Sequence, residues 1–165
     1  MKSKTAPKAI VAVLASLACA LTVSTASAQQ DKPANNMQIL AEKIKADKKL
    51  VVAENMGLTE SEAKAFWPIY DAYQKDLAQL NSQLSKLIET YAGFYNSKTL
   101  TDTRAKELTD GAISIETAEL ELKKSYLPKL YAVLPAVKVA RYIQIENKIR
   151  AIVKFQIAAE VPLTP

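Results

Sequence analysis

The sequence predicts an all-α protein, a long antiparallel helical hairpin of about four helices, thin and curved, and dimeric. Three observations predict it. Apolar residues recur at helical spacings through most of the chain, and one heptad seam runs unbroken for about eight turns. Helix-start chemistry stands at three places and proline or glycine near the matching ends. Only 3 glycines occur in 165 residues, too few for hairpin turns between strands.

The elements follow in order. Lys2, Lys4 and Lys8 give a positive start, Ile10 to Val23 is apolar apart from Ser16 and Thr22, and Ala26-Ser27-Ala28 is a small-x-small pattern. Residues 1–28 therefore read as a cleaved secretory leader. An uncleaved anchor is the alternative, although the apolar run falls short of the roughly 20 residues a span needs. Cys19 also raises a lipoprotein reading, but Ser16 stands where that signal needs a bulky aliphatic residue. Export places the protein in the periplasm. Residues 29–35 carry Pro33 and read as a flexible lead-in.

The single helical domain is expected over 36–160. Its first helix runs from about Asn36 to Asn55, with Ile39, Ile44, Leu50, Val51 and Val52 among lysines and glutamates, and stops at Gly57. Thr59-Glu60-Ser61-Glu62 is a capping box that starts the second helix. The seam then reads Phe66, Tyr70, Tyr73, Leu77, Leu80, Leu84, Leu87, Tyr91 and Phe94, at spacings of four and three. A helix from Glu60 to Tyr95 is on the order of 50 Å long at 1.5 Å per residue.

A third helix is expected from Thr101 or Asp102 to about Val133. It has two apolar stripes. One holds Ala105, Leu108, Ala112, Ile115, Leu122 and Tyr126, and the other Ile113, Leu120, Leu127 and Tyr131. Two stripes predict neighbours on two sides. Gly111 inside this helix fits a close helix approach. Leu134-Pro135 marks the next break, with Pro135 suited to a first turn, and a fourth helix covers 136–160. Its stripe is Tyr142, Ile145, Ile149 and Ile152, and Glu146 and Arg150 are an i,i+4 pair, worth a few tenths of a kcal/mol if exposed. Residues 161–165 form an extended tail. Pro68 and Pro128 each remove one helical hydrogen bond, which predicts curvature around a core.

Composition removes several function classes. The chain has 22 basic and 17 acidic residues, but three of the lysines lie in the leader, and the rest is mixed in sign along every segment. No clustered positive surface for nucleic acid is expected. There is no histidine, and Cys19 is the single cysteine. Beyond the leader there is no thiolate or imidazole site for a metal, no disulfide, and no Ser-His-Asp or Cys-His pair. No catalytic residues, metal or cofactor are expected. The expected work is binding, and off-seam apolar residues Trp67, Ile69, Ile88 and Tyr95 are the candidate client or dimer surface.

Three helix starts share a pattern: Leu58-Thr59-Glu60-Ser61-Glu62, Leu100-Thr101-Asp102-Thr103-Arg104 and Leu134-Pro135-Ala136-Val137-Lys138. With the leader and the helical patterning, the chain resembles the periplasmic Spy/CpxP-like proteins with repeated Leu-Thr-x-x-Gln motifs. Here Glu62 and Arg104 stand at the glutamine position, and Pro135 replaces the third threonine. The resemblance implies thin, curved helical hairpins that dimerise into a cradle. It implies an ATP-independent holdase for unfolded polypeptides under envelope stress. The alternatives it implies are a regulatory module on the periplasmic part of a stress sensor or anti-sigma protein, and a structural envelope protein. The zinc role of related members does not carry over, because histidine ligands are absent.

Overall fold

The computed structural model describes residues 47–164, so the leader, the lead-in, Ile39, Ile44 and Pro165 lie outside the described residues. Four helices account for nearly all of these residues: α1 (47–56), α2 (Glu60–Ser97), α3 (Asp102–Tyr131) and α4 (Ala136–Glu160). No strand occurs among the described residues. The all-α expectation is met, and α2 and α3 are the long antiparallel hairpin.

Each boundary has a local cause. Gly57 stops α1 at φ +56°, a backbone region that costs glycine nothing. Thr59 and Glu62 close the capping box: Thr59 Oγ1 accepts from the Glu62 amide at 3.3 Å, and Glu62 Oε2 accepts from the Thr59 amide at 2.8 Å. α2 then runs 38 residues, through Pro68, and ends at Lys98 in the left-handed region. Thr101 caps α3 by accepting from the Arg104 amide. Pro135 is the residue just before α4 rather than in its first turn, and its carbonyl accepts from Lys138 and Val139.

Cross-helix partners fix the topology. Lys49–Asp71 and Lys48–Gln74 make α1 antiparallel to α2. Tyr73 meets Tyr126 and Leu87 meets Gly111, so α3 runs antiparallel to α2. Lys123–Asn147 and Glu116–Lys154 do the same for α3 and α4. Lys48 also pairs with Glu146 of α4. Each helix therefore neighbours the next, α1 neighbours α4, and α2 and α4 run parallel: an up-down-up-down bundle.

The tight core sits at the end where α1 meets α2 and α3 meets α4. Val52, Met56, Phe66, Tyr70, Leu130, Leu134, Val139 and Tyr142 are all buried there. Phe66, Tyr70, Tyr73 and Tyr142 pack edge-on or tilted, with ring centroids 5.1–6.3 Å apart. That geometry suits the ring quadrupoles and adds to the area buried. Burial pushes the Tyr70, Tyr73 and Tyr142 hydroxyls above the usual phenol range, and the nearby Glu146 adds to it.

Two expectations change. Glu146 and Arg150, i,i+4 neighbours, do not pair with each other. Glu146 is 4% exposed and bonds Lys48 and Gln74, while Arg150 turns to Glu119 and Asn81. The second α3 stripe is largely open among the described residues: Leu127 packs on the core, but Ile113, Leu120 and Tyr131 are each more than half exposed. The physical reason is that α4 meets α3 through the Glu116, Glu119 and Lys123 side, where ion pairs and amides hold the two helices together.

Candidate binding groove

The α2 seam divides in two. Phe66, Tyr70, Tyr73 and Leu77 are buried, whereas Leu80, Leu84, Leu87, Tyr91 and Phe94 are only half-buried. The described part of α1 reaches only as far as the Gln74 level, so a fourth wall stands over the first half of the seam. Beyond it, three helices among the described residues line an apolar groove of about 330 Å³. α2 contributes Leu84, Leu87, Ile88 and Tyr91, and the α2–α3 turn contributes Leu100. From α3 come Ala105, Leu108, Thr109, Ala112 and Ile113, and from α4 and the tail Ile157, Val161 and Thr164.

Local sequence explains the groove's shape. Gly111 lets α3 approach α2 closely, since a Cβ there would lie 3.0 Å from Leu87 Cδ1. Small residues Ala105 and Ala112 keep the α3 wall low. At the tip, the Arg104 guanidinium lies over the Phe94 ring at 4.4 Å and its Nη1 donates to Thr99 O. The Tyr91 hydroxyl donates to Pro162 O at 2.9 Å, which ties the chain beyond α4 back to α2. The inner end is closed by a polar layer. There Lys48, Gln74 and Glu146 bond one another at 2.7–3.0 Å, and Arg150 Nη1 donates to Asn81. Arg150 Nη2 lies 2.5 Å from Glu119 Oε2, an ion pair by distance but out of hydrogen-bond alignment.

The sequence-identified residues distribute as follows. Ile88 lines the groove, and Tyr95 flanks it through Tyr91, their rings 5.8 Å apart. Trp67 and Ile69 sit at the opposite end, half-buried against the tight core, with Lys49 Nζ 5.1 Å from the Trp67 ring. The four are not brought together. The motif leucines plug the bundle: Leu58 and Leu134 pack at the tight end and Leu100 lines the groove. Glu62 and Lys138 hold the same place in the first and third motifs, and they pair with each other across α2 and α4. Lys138 also donates to Gly57 O at 2.9 Å. Sequence reading missed the polar layer. Its signal was a charge on an apolar stripe: Glu146 falls between Tyr142 and Ile149, and Glu119 between Ile115 and Leu122.

Tyr91 is the groove's sole titratable lining residue among the described residues. No cluster of metal-holding side chains occurs among them either. What the groove can do is take apolar groups out of water. No helix among the described residues is long and apolar enough to cross a membrane. No family model, curated protein or solved structure matches the chain.

Proposed function

We propose that this is an exported, periplasmic, chaperone-like protein that holds unfolded or partner polypeptides without ATP, and that it works as a homodimer of Spy/CpxP-like character. The observation that carries the reading is the apolar groove that the second half of the heptad seam lines together with residues of α3 and α4. The leader pattern supports export.

Magnitudes favour transient holding. The groove is at the small end of the ~300–1,000 Å³ range of ligand pockets, so it takes one or two large side chains. Burying each contributes roughly 1.5–3 kcal/mol. Association costs at least about 4 kcal/mol. One groove therefore binds weakly and releases readily, and a dimer would gain from presenting two.

The test is light scattering of two unrelated denatured clients with the purified protein and no ATP. Suppression of both at near-stoichiometric ratios is expected. Ile88→Gln and Leu108→Gln should weaken it, while Val137→Gln, at an exposed site at the far end of α4, should not. Suppression of neither client by the wild type would sink the general-holdase reading. Binding of one protein at fixed stoichiometry would instead identify a dedicated regulatory partner.

A further inference from the structure

The connected apolar core ends part-way along the bundle. Leu77 is its last member on α2 and Ile149 its last on α4, and Leu122 is the first α3 residue packed against it. Ile115 and Ile152 are buried farther out but stand apart from that cluster. Past the core, α3 and α4 still run side by side, and charged and amide groups join them. Lys123 Nζ donates to Asn147 Oδ1 at 2.8 Å. Arg150 Nη2 lies 2.5 Å from Glu119 Oε2, and Lys154 Nζ donates to Glu116 Oε1 at 2.7 Å. Residues 116, 119 and 123 of α3 face 154, 150 and 147 of α4, at steps of three and four on both helices. One face of each helix therefore carries the whole ladder.

The rungs differ in their access to water. Glu119 and Arg150 are nearly buried, so salt screens that pair little. Glu116 and Lys154 are half-exposed. Their hydrogen bond holds the Glu116 carboxyl below its usual value, so the two groups are coupled at low salt. Screening weakens such an exposed pair, because the screening length falls from about 10 Å at 0.1 M salt to about 3 Å at 1 M. The chain past α4 adds one neutral tie, from the Tyr91 hydroxyl to Pro162 O.

We propose that α4 beyond Arg150 is a hinged arm, held on α3 by this ladder, and that rising ionic strength releases its outer end while the tight end stays closed. The Glu116–Lys154 rung releases first, and the Glu119–Arg150 rung is the hinge. Ile157 and Val161 of the arm line the groove, so release moves one groove wall. This consequence for clients rests on the groove being the capture surface proposed above, whereas the release of the arm does not.

The experiment is amide hydrogen exchange of the full chain, read by mass spectrometry at 0.05 M and 0.5 M NaCl. Residues 151–160 should exchange as one block, about two- to fivefold faster at the higher salt, the range that loss of one exposed ion pair allows. Residues 60–77 and 136–146 should not change. Glu116→Lys, which sets two cations face to face, should give the same acceleration at low salt. Glu116→Lys with Lys154→Glu should restore most of the protection. Protection that falls steadily toward Glu160 and ignores salt is fraying of a helix end, and it would overturn the arm. So would acceleration spread equally over the tight end, or a charge swap that restores nothing. Aggregation assays at 0.05 M NaCl separate the two readings. Stronger suppression by Glu116→Lys than by the wild type supports a groove opened by the arm. Equal suppression, with the faster exchange present, overturns that consequence and leaves the arm in place. An inactive wild type whose arm exchanges as expected removes the groove's client role alone.

Discussion

Single residues show where this bundle is tuned and where it is loose. Gly93 lies inside α2, exposed, with open space where a Cβ would go. Gly93→Ala should stabilise the protein by about 0.5–1 kcal/mol, because alanine loses less backbone freedom on entering a helix. Gly111→Ala makes the same change but meets Leu87 Cδ1 at 3.0 Å, so its gain should be smaller. Urea unfolding of both variants checks the order, and an equal or larger gain at Gly111 would contradict the close approach. Buried charge gives a sharper contrast. Glu146 is 4% exposed and is compensated by Lys48 and Gln74. Removing one partner of a buried pair costs roughly 3–5 kcal/mol, whereas replacing both by apolar residues is often neutral. Lys48 is 23% exposed, so Lys48→Met should cost less, about 2 kcal/mol, and Lys48→Met with Glu146→Met should recover most of it. A double-mutant cycle with no recovery would show that the layer does not act as a pair. Sequence reading took Gly111 correctly as a close approach, since a small residue on an apolar stripe has few other uses. Glu146 paired with Arg150 would satisfy both charges locally, and the apolar stripe on which Glu146 stands does not say which helix supplies its actual partners.

At the scale of the helix, boundaries were legible because their causes are local. Thr59, Glu62, Gly57, Thr101 and Pro135 each act within a few residues, and all seven helix starts and stops among the described residues fall within two residues of expectation. Which side of a helix is covered depends on its neighbours, so the exposed second stripe of α3 and the half-open seam of α2 were not legible. The capping box carries a pH prediction. The hydrogen bond from Lys138, followed by the Thr59 amide, holds the Glu62 carboxyl below its usual 4.5. A lowered folded-state value means stability that is complete above the unfolded value and lost as pH falls through the folded one. Glu62→Gln should therefore lower the melting temperature at neutral pH, with the gap to the wild type closing below about pH 4.5. Parallel melting curves for the two proteins across that range would show that the pairing with Lys138 contributes nothing. Thr59→Ala removes the reciprocal bond and should cost about 1 kcal/mol at neutral pH.

At the scale of the whole bundle, two apolar surfaces remain among the described residues once the core is assembled, and they differ in openness. The groove is concave and enclosed on three sides, which suits a guest side chain. The α3 stripe is more open: Ile113, at the rim of the groove, Leu120 and Tyr131 stand 59%, 56% and 54% exposed. An open apolar stripe along one helix is covered well by a matching stripe. Its flanks carry both signs, Glu116 with Lys154 and Glu121 with Lys124, so a second copy turned end for end meets opposite charges. We therefore expect the homodimer on this face, and expect it to be weak. A stable interface buries about 1,200–2,000 Å² in total, and a few exposed apolar side chains on each copy supply only part of that. Light scattering at rising concentration should show monomer passing to dimer. Leu120→Lys puts two like charges near the two-fold axis and should hold the protein monomeric with its helical content unchanged. A dimer that survives Leu120→Lys would move the contact to another face, the groove included. Client suppression would then fall as dimerisation rises, because the two would compete for the same apolar wall.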